Sequence, residues 1–428
     1  MHKLLCDGLT FTAGTACAYS CRYCYVESMV LKQKAIRDIL QESGKSFNEL
    51  VIRRNNPVQR LASALTRKQR KGDLLPAAEE MLSPELIEKW GLVGEWSLAN
   101  RVPKFHGPEW VGKVIFGSPM VDVAATKELA QETEELCAAL LLLTPLHIRL
   151  LSKSPLLASV AERLHKRFPD SENGAKARMI FGLSIGTFDE KAAAGIEPHT
   201  PSPTKRLEGL HKLQDQGFRT FGMLCPILPQ ADGEAYKRFA EQAMAAIRAE
   251  RCEEVWAEAL NCRFTAERKP EAANNRNSFE ATLQGLEAAG CMEEAKRFKH
   301  VAEDGAAWEA YARALFEALA AAAPAQTIPR LVVGEKIHSR IPNKLWWLQY
   351  PRNFDSIATY WRAQQPAGAV LLGASMTNYS KTVDKLLDVV AGVYKKPLSG
   401  RLKKLMDEIY GAEENAPQDE KSQMSMAQ

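Results

Sequence analysis

The chain lacks the features that mark secreted, membrane-spanning and disordered proteins. Its N-terminal segment, MHKLLCDGLTFTAG, contains no long apolar run, so we expect no signal peptide. The most apolar stretch, residues 136–151, is interrupted by Pro145, His147 and Arg149 and is not expected to span a bilayer. Apolar residues make up 46% and charged residues 25% of the 428, as in ordinary globular proteins, which excludes global disorder. We therefore expect a soluble, cytoplasmic protein with no membrane partner.

Neither the charge nor the cysteine content is extreme. The formal net charge is +4, too low to indicate nucleic-acid binding from overall charge alone. Nine cysteines are an odd number, and in a long chain in a reducing compartment they favour thiol or metal chemistry over a disulfide scaffold. Cys17, Cys21 and Cys24 lie within eight residues, whereas those after them are scattered singly, as is typical of buried core cysteines.

Alternating β-rich and helical patterns predict the fold class. Candidate strands are residues 9–12, 113–117, 146–152, 179–185, 219–225 and 254–260. Helical periodicity between them covers residues 126–143, 155–167, 204–216 and 234–249. Six strands that alternate with helices predict parallel βαβ units, and therefore an α/β barrel or an open α/β sheet.

Two regions fall outside this alternation. Residues 29–110 separate the first two strands, which is long for a single crossover, and helices are expected there at 31–42 and 56–70. Residues 264–410 form a mainly helical C-terminal extension, with helices expected at 278–289 and 306–323, and the polar tail 411–428 is expected to be disordered. The predicted α/β core thus comprises residues 1–28, with the first strand and the cysteine motif, and residues 111–263.

The sequence CAYSCRYC carries the clearest chemical signal, with three and then two residues between its cysteines. Thiolates are ligands for zinc and for iron–sulfur clusters. A structural zinc site normally needs four ligands, and no second cysteine pair follows, so Cys6 or His2 would have to supply the fourth. Three ligands on a cubane cluster would instead leave one iron open to a substrate or cosubstrate. The residues alone leave both possibilities open.

A CxxxCxxC motif with an aromatic residue before its third cysteine, set after a first strand, resembles the radical S-adenosylmethionine (SAM) superfamily. The runs LLSKSPLLASVAERL, IFGLSIGTFDEKAAAGIEPHTPSPTKRLEGLHKLQDQGFRTFGMLCPILP and EVWAEALNCR resemble its spore photoproduct lyase-like branch. The resemblance implies a partial (β/α)6 barrel, a [4Fe–4S] cluster, SAM, and a reducing electron donor of the flavodoxin or ferredoxin type. In that superfamily, one-electron reduction cleaves SAM to a 5′-deoxyadenosyl radical, which abstracts hydrogen from the substrate.

The same resemblance assigns roles around the motif. Cys17, Cys21 and Cys24 match the cluster ligands, and Tyr23 matches the aromatic residue beside them. Tyr25, directly after the third cysteine, matches a tyrosine that takes part in hydrogen transfer in the lyase. The lyase also has a hydrogen-donating cysteine near the end of its second strand. The matching stretch here, FGSPMVD, contains none, so the resemblance does not extend to that donor.

Four further residues match positions that contact the cosubstrate. Lys153, at the end of the third strand, matches a lysine expected to meet the cosubstrate carboxylate. Ser184, in the fourth strand, matches a polar cosubstrate contact. Ser118 and Asp122 stand where the family usually holds the amino group of the cosubstrate, although the usual Gly-Gly-Glu pattern is absent.

Polar residues also lie at or just beyond the ends of the fourth and sixth predicted strands: Glu197, His199, Glu258, Asn261 and Arg263. In barrels of parallel strands, the carboxyl ends of the strands carry the active site. We therefore predict a catalytic role for Glu258, and substrate contacts for His199, Asn261 and Arg263.

Residues 45–71 carry eight basic side chains against one acidic residue, Glu49. Clusters of this kind bind phosphates, although a solvated helix face would have the same composition. The candidate phosphate contacts are Arg53, Arg54, Arg67 and Arg70.

Three functions follow as hypotheses. The first is a radical SAM enzyme acting on DNA or a nucleotide, either as a lyase in lesion repair or by base modification. The second is a radical SAM enzyme acting on a peptide or a small metabolite. The third is a zinc-stabilised binding protein without catalytic activity.

Overall fold

A computed structural model of the chain describes residues 5–6, 9–17, 19–24, 26–31, 33–117, 120–171, 173–260, 278–324, 327–332 and 347–349. Its strands are β1 (Leu9–Phe11), β2 (Gly14–Cys17), β3 (Val51–Arg53), β4 (Thr66–Lys68), β5 (Arg101–Pro103), β6 (Val114–Gly117), β7 (His147–Ser152), β8 (Met179–Leu183), β9 (Arg219–Ile227), β10 (Cys252–Ala259), β11 (Ile328–Val332) and β12 (Trp347–Gln349). Its helices are α1 (Val26–Val30), α2 (Lys34–Ser43), α3 (Pro57–Leu65), α4 (Pro84–Lys89), α5 (Lys127–Leu143), α6 (Leu156–Arg167), α7 (Ala175–Arg178), α8 (Glu190–Ile196), α9 (Pro203–Asp215), α10 (Gly233–Ala246), α11 (Ser278–Ala288), α12 (Met292–Glu303) and α13 (Gly305–Ala322).

The central sheet contains the six predicted strands, in the order β1-β6-β7-β8-β9-β10, and all five neighbouring pairs are parallel. The prediction of an α/β fold with a parallel sheet is therefore confirmed. Strands β11 and β12, which the sequence analysis did not predict, extend the sheet beyond β10. The helices α5, α6, α9 and α10 lie between the strands close to their expected bounds.

The sheet curls into a partial barrel. Arg149 on β7, which is buried, and Glu254 on β10, which is partly buried, form an ion pair at 3.5 Å, although β8 and β9 lie between their strands. Three inter-strand spacings would separate β7 and β10 by about 14 Å in a flat sheet. The concave face is filled by an apolar cluster that includes Phe116, Phe221 and Trp256, and helices cover the convex face.

The segment after the first strand combines short helices with two small hairpins. β2 pairs with β3, and β4 pairs with β5, both antiparallel. The helix expected at 56–70 is correct only in its first part, because α3 ends at Leu65 and Thr66 begins β4. Arg101 closes this helix end, since its guanidinium donates to Thr66 Oγ1 at 2.8 Å and to the carbonyl of Ser63 at 2.8 Å.

The described part of the C-terminal region is largely helical, in agreement with the prediction. Helices α11 and α13 match the segments expected at 278–289 and 306–323, and α12 lies between them. The tail at 411–428 lies outside the described residues. Among the helices that the structure describes, none is long and apolar enough to cross a membrane.

Gly14 allows β2 and β3 to approach closely at the start of the cysteine-bearing strand. A Cβ at this position would lie 2.4 Å from the backbone carbonyl oxygen of Ile52, so backbone would have to move. We therefore expect Gly14→Ala to lower the free energy of unfolding by about 1–3 kcal/mol, measured by urea denaturation. Gly233→Ala is the matched control, because nothing lies within 4 Å of its Cβ, and it should be neutral or slightly stabilising. Equal stabilities of the two variants would contradict this account of the hairpin.

Candidate functional site

A cavity of about 180 Å³ opens where the carboxyl ends of the parallel strands meet the cysteine motif. Seven of its lining residues are sites predicted from the sequence: Cys17, Cys21, Tyr23, Cys24, Asp122, Lys153 and Ser184. The remaining lining residues are Thr15, Ala16, Tyr19, Val26, Phe47, Phe116, Met120, Val121, Leu151, Ser152 and Cys225. The fold therefore brings the motif and the predicted cosubstrate contacts to one place.

Short local structures position the three motif cysteines. Cys17 ends β2, where it pairs with Val51 of β3. Cys21 and Cys24 are joined by a tight turn, in which the Cys24 amide donates to the Cys21 carbonyl at 3.0 Å. Ser20, which has a positive φ of 53°, anchors the start of this turn by donating from Oγ to the Asn48 carbonyl at 2.7 Å. All three thiols are free and partly exposed.

Backbone amides point at two of the motif sulfurs. Burial raises the pKa of the Cys17 thiol to about 11, although the N–H groups of Tyr19 and Asp122 act to lower it. Burial likewise raises the pKa of Cys24, while the N–H groups of Val26 and Glu27 favour its thiolate. A buried thiolate is stable only with hydrogen bonds and a nearby positive charge. The loop supplies the hydrogen bonds, and a bound metal centre would supply the charge.

Lys153 places a positive charge on the cavity wall, directly after β7. Its Nζ lies 3.3 Å from Ser184 Oγ, 3.7 Å from Glu197 Oε1 and 5.8 Å from the centroid of the Tyr23 ring. Burial would lower the pKa of Lys153, but the negative charge of Glu197 outweighs it and the pKa is raised. The ammonium is therefore a fixed charge that can meet an anion in the cavity.

Asp122 is held by donors from β7 and from its own loop. Its Oδ1 accepts from Ser152 Oγ at 2.5 Å and from the Ala124 amide at 3.0 Å, and its Oδ2 accepts from the Lys153 amide at 2.6 Å. Burial raises the pKa of Asp122 despite these hydrogen bonds. The carboxyl group therefore has a fixed orientation beside the cysteine motif.

Behind the cavity wall lies a buried ionic network that the sequence analysis did not identify. Glu197 accepts hydrogen bonds from the Tyr23 hydroxyl and from the Arg206 guanidinium. Burial would raise the pKa of Glu197, but the charges of Lys153 and Arg206 lower it overall. The sequence places Glu197 near a strand end, whereas Arg206 is one of several basic residues on α9 and has no distinguishing pattern.

Cys225 on β9 is a further thiol that faces the cavity. It is buried, as expected of the scattered cysteines, but its Sγ donates to Glu258 Oε2 at 3.0 Å and it lines the site. Ser184 Oγ donates to the Cys225 carbonyl at 2.7 Å. Glu258 does not itself line the cavity, and burial raises its pKa. The predicted catalytic residue thus contacts the site through Cys225.

Several predicted substrate contacts lie away from the cavity. His199 is exposed and does not line it. The basic segment is not one helix face, because Arg53 lies on β3 and Arg67 on β4. Both arginines are ion-paired, Arg53 with Glu132 at 2.5 Å and Arg67 with Asp73 at 2.7 Å. Arg54 and Arg70 are exposed, and no ion pair joins either to a described carboxylate.

Four predicted residues lie outside the described part of the chain: Tyr25, Ser118, Asn261 and Arg263. Within the described ranges, no three His, Cys, Asp or Glu side chains converge on a point where they could hold one metal ion.

Comparisons with known proteins give short or distant similarities. No family model matches this chain. An uncharacterized protein, ORF301, from Acidianus two-tailed virus is 41% identical over 54 residues, which are 13% of this chain and 18% of that protein. The chain is similar to solved structures of spore photoproduct lyase. A variant with bound AdoMet and dinucleoside spore photoproduct is 13% identical with a TM-score of 0.37, over 65% of this chain and 60% of that one. A second variant is 12% identical with a TM-score of 0.30, over 42% and 47% of the two chains.

Proposed function

We propose that the chain is a radical SAM enzyme that holds a [4Fe–4S] cluster on Cys17, Cys21 and Cys24. The observation that carries the proposal is that all three cysteines of the CxxxCxxC motif face the same cavity as Lys153 and Asp122. The cavity also lies at the carboxyl ends of parallel strands, where barrel enzymes carry their active sites. The cysteine motif, the charged residues Lys153 and Asp122, and the position of the cavity in the fold all favour the same function. Together they support it more strongly than the cysteine spacing alone.

The residues present fit the cluster and its cosubstrate. Three thiols match a cubane that keeps one iron open, and backbone N–H groups at Cys17 and Cys24 favour the thiolates that iron requires. When bound, the cluster and SAM supply one-electron chemistry that produces a carbon-centred radical for hydrogen abstraction. The electron would come from a donor of the flavodoxin or ferredoxin type.

The remaining cavity residues bind and orient the cosubstrate. Lys153 binds its carboxylate by charge, and Ser184, which contacts the Lys153 ammonium, adds a polar contact. Asp122 accepts a hydrogen bond from its amino group, and the Tyr23 ring forms an adjacent wall. Ser118 and Tyr25 keep the roles that the resemblance gives them, in cosubstrate binding and hydrogen transfer respectively.

Glu258 acts through its contact with Cys225. The carboxyl group is partly buried beside the thiol, and the 3.0 Å hydrogen bond fixes the direction of the Sγ–H bond. Burial raises the pKa of both groups, which favours their protonated forms. We assign Glu258 the role of fixing the orientation of this thiol at the edge of the site.

For the substrate, we propose DNA or a nucleotide, with lesion repair or base modification as the reaction. The support is the exposed basic residues of the segment 45–71, among them Arg54 and Arg70, and the resemblance to a branch that contains a DNA-repair lyase. His199, Asn261 and Arg263 are retained as proposed substrate contacts at the strand ends. A peptide or a small metabolite is the alternative that the tests below separate from DNA.

The cluster assignment predicts which thiols hold iron. Replacing Cys17, Cys21 or Cys24 with Ala should abolish iron binding and the formation of 5′-deoxyadenosine after anaerobic reconstitution, because each thiolate holds one iron corner. Cys225→Ala is the matched control in the same cavity, and Cys137→Ala is a control in the core. Both should retain iron. A colourless wild-type protein that binds one zinc ion would establish the zinc-stabilised alternative instead.

The role of Lys153 predicts a defect in cosubstrate binding without loss of iron. Lys153→Ala removes a charge-assisted contact of ~1.5–3 kcal/mol and should weaken SAM binding about ten- to a hundredfold. Lys153→Arg should restore only part of the affinity, because a planar fork places its charge differently from a compact ammonium. Equilibrium dialysis with labelled SAM measures both, with the exposed Lys166→Ala as control. An unchanged dissociation constant for Lys153→Ala removes it from the site.

The DNA proposal predicts that unpaired and paired arginines differ. Arg54→Gln with Arg70→Gln should weaken DNA binding for all sequences and flatten its salt dependence by about 1–2 in log–log slope, as for two lost phosphate contacts. Arg53→Gln with Arg67→Gln should have a smaller effect, because carboxylates already neutralise these side chains. Fluorescence anisotropy over a salt series measures the slopes. If wild-type protein shows no DNA affinity at low salt, the peptide or metabolite alternative is favoured.

A further inference from the structure

The end of α8 contacts the cysteine loop at three successive residues. The Gly195 carbonyl accepts from Arg22 Nε at 2.7 Å, and the Ile196 carbonyl accepts from the Arg22 amide at 2.8 Å. The Glu197 carboxylate then accepts from the Tyr23 hydroxyl. Arg22 and Tyr23 both lie between Cys21 and Cys24. Contacts on these two residues therefore constrain the positions of both cysteines.

Glycines on two neighbouring helices, α8 and α11, leave space for the Arg22 side chain. Gly285 of α11 lies against Gly195 of α8, and a Cβ on Gly285 would be 2.2 Å from the Gly195 carbonyl oxygen. The same Cβ would be 2.5 Å from the Arg22 side chain, so a larger residue would displace the arginine. Helix α11 thus packs both against α8 and directly against Arg22 of the cysteine loop.

Arg206 fixes the position of Glu197. Its side chain is 1% exposed and donates to the Pro201 carbonyl at 2.7 Å and to the Ser184 carbonyl at 3.0 Å, in addition to its ion pair with Glu197. These carbonyls belong to the backbone, so the guanidinium cannot follow a displaced carboxylate without losing them. Glu197, itself 4% exposed, is therefore held in one place when Tyr23 contacts it.

We propose that Glu197 and Arg206 are positioning residues that hold the cysteine loop, through the Tyr23 hydroxyl, in the geometry that accepts the cluster. The proposal rests on the proposed function for the identity of the cluster, but the restraint on the loop exists without it. Tyr23 consequently has two roles. Its ring lines the cavity, and its hydroxyl group connects the cysteine loop to Glu197 at the end of α8. In the absence of this tie, Cys21 and Cys24 would sample positions from which they cannot bind one cluster together.

The test measures local opening of the loop in iron-free protein. A neutral maleimide labels cysteines, and peptide mass spectrometry gives the rate at each site. Tyr23→Phe, which removes one hydroxyl group, should accelerate labelling of Cys21 and Cys24 about fivefold, as for one lost hydrogen bond. Labelling of Cys252, which is buried far along the chain on β10, should not change. The matched control is Tyr236→Phe, which removes a hydroxyl from a buried tyrosine on α10.

Arg206→Met is a second variant. It should accelerate labelling of Cys21 and Cys24 about tenfold or more, because Glu197 loses its ion pair and can then move away from the Tyr23 hydroxyl. If Arg206→Met unfolds the protein, Cys252 will be labelled as well. The labelling rates of Tyr23→Phe alone then test the proposal. After reconstitution, Tyr23→Phe should also lose iron to a chelator faster than Tyr236→Phe.

Wild-type labelling rates at Cys21 and Cys24 in Tyr23→Phe would overturn the proposal. An equal acceleration at Cys252 in that variant would also overturn it, because Tyr23 would then support the whole fold. Failure of wild-type protein to bind an iron–sulfur cluster would overturn the proposed function alone, since the labelling rates would still report the restraint on the loop.

Discussion

A buried carboxylate is stable only where charges and hydrogen-bond donors replace the water that it has lost. Glu197 meets this requirement with Arg206, Lys153 and Tyr23. These three groups come from α9, from the end of β7 and from the cysteine loop, so one charge ties three separate segments together. Replacing Arg206 or Lys153 should therefore disturb the site more than the small number of contacts of either residue suggests. Each replacement leaves the buried charge of Glu197 less well compensated.

Arg206 and Lys153 share the Glu197 carboxylate unequally, which leaves Lys153 available to a ligand. Arg206 contacts the carboxylate directly and is fixed by backbone carbonyls, whereas Lys153 stands 3.7 Å away on the cavity side. Two cations share one carboxylate, so the charge of Lys153 is only partly neutralised. An anionic group entering the cavity can therefore draw Lys153 toward it while Arg206 continues to stabilise Glu197. The site is prepared for an anion without exposing an unpaired charge to the protein interior.

The sequence predicted the parallel strands and the residues at their ends because both depend on local patterns. Lys153 follows a β-rich run, and Cys17, Cys21 and Cys24 are close in sequence. The hairpin of β2 and β3 was not predicted, since Val51–Arg53 is too short for a pattern. The pairing of Glu197 with Arg206 and the contact of Cys225 with Glu258 depend on how distant elements pack. The helix expected at 56–70 ends early for the same reason, because Arg101 binds its end from another segment.

The basic segment shows why a count of charges overstates attraction to phosphate. Arg53 forms an ion pair with Glu132 on α5, and Arg67 forms one with Asp73. Asp73 lies only two residues beyond the segment 45–71, so it was not included in the count of its charges. Register adds a second constraint, because Arg53 lies opposite Gly14, at the end of β2 remote from Cys17. At about 3.3 Å per residue, this places it roughly 10 Å farther along the strand than the cysteine. Arg54, the exposed neighbour of Arg53, donates its amide to the Ala13 carbonyl and therefore also lies at the end of the hairpin remote from Cys17.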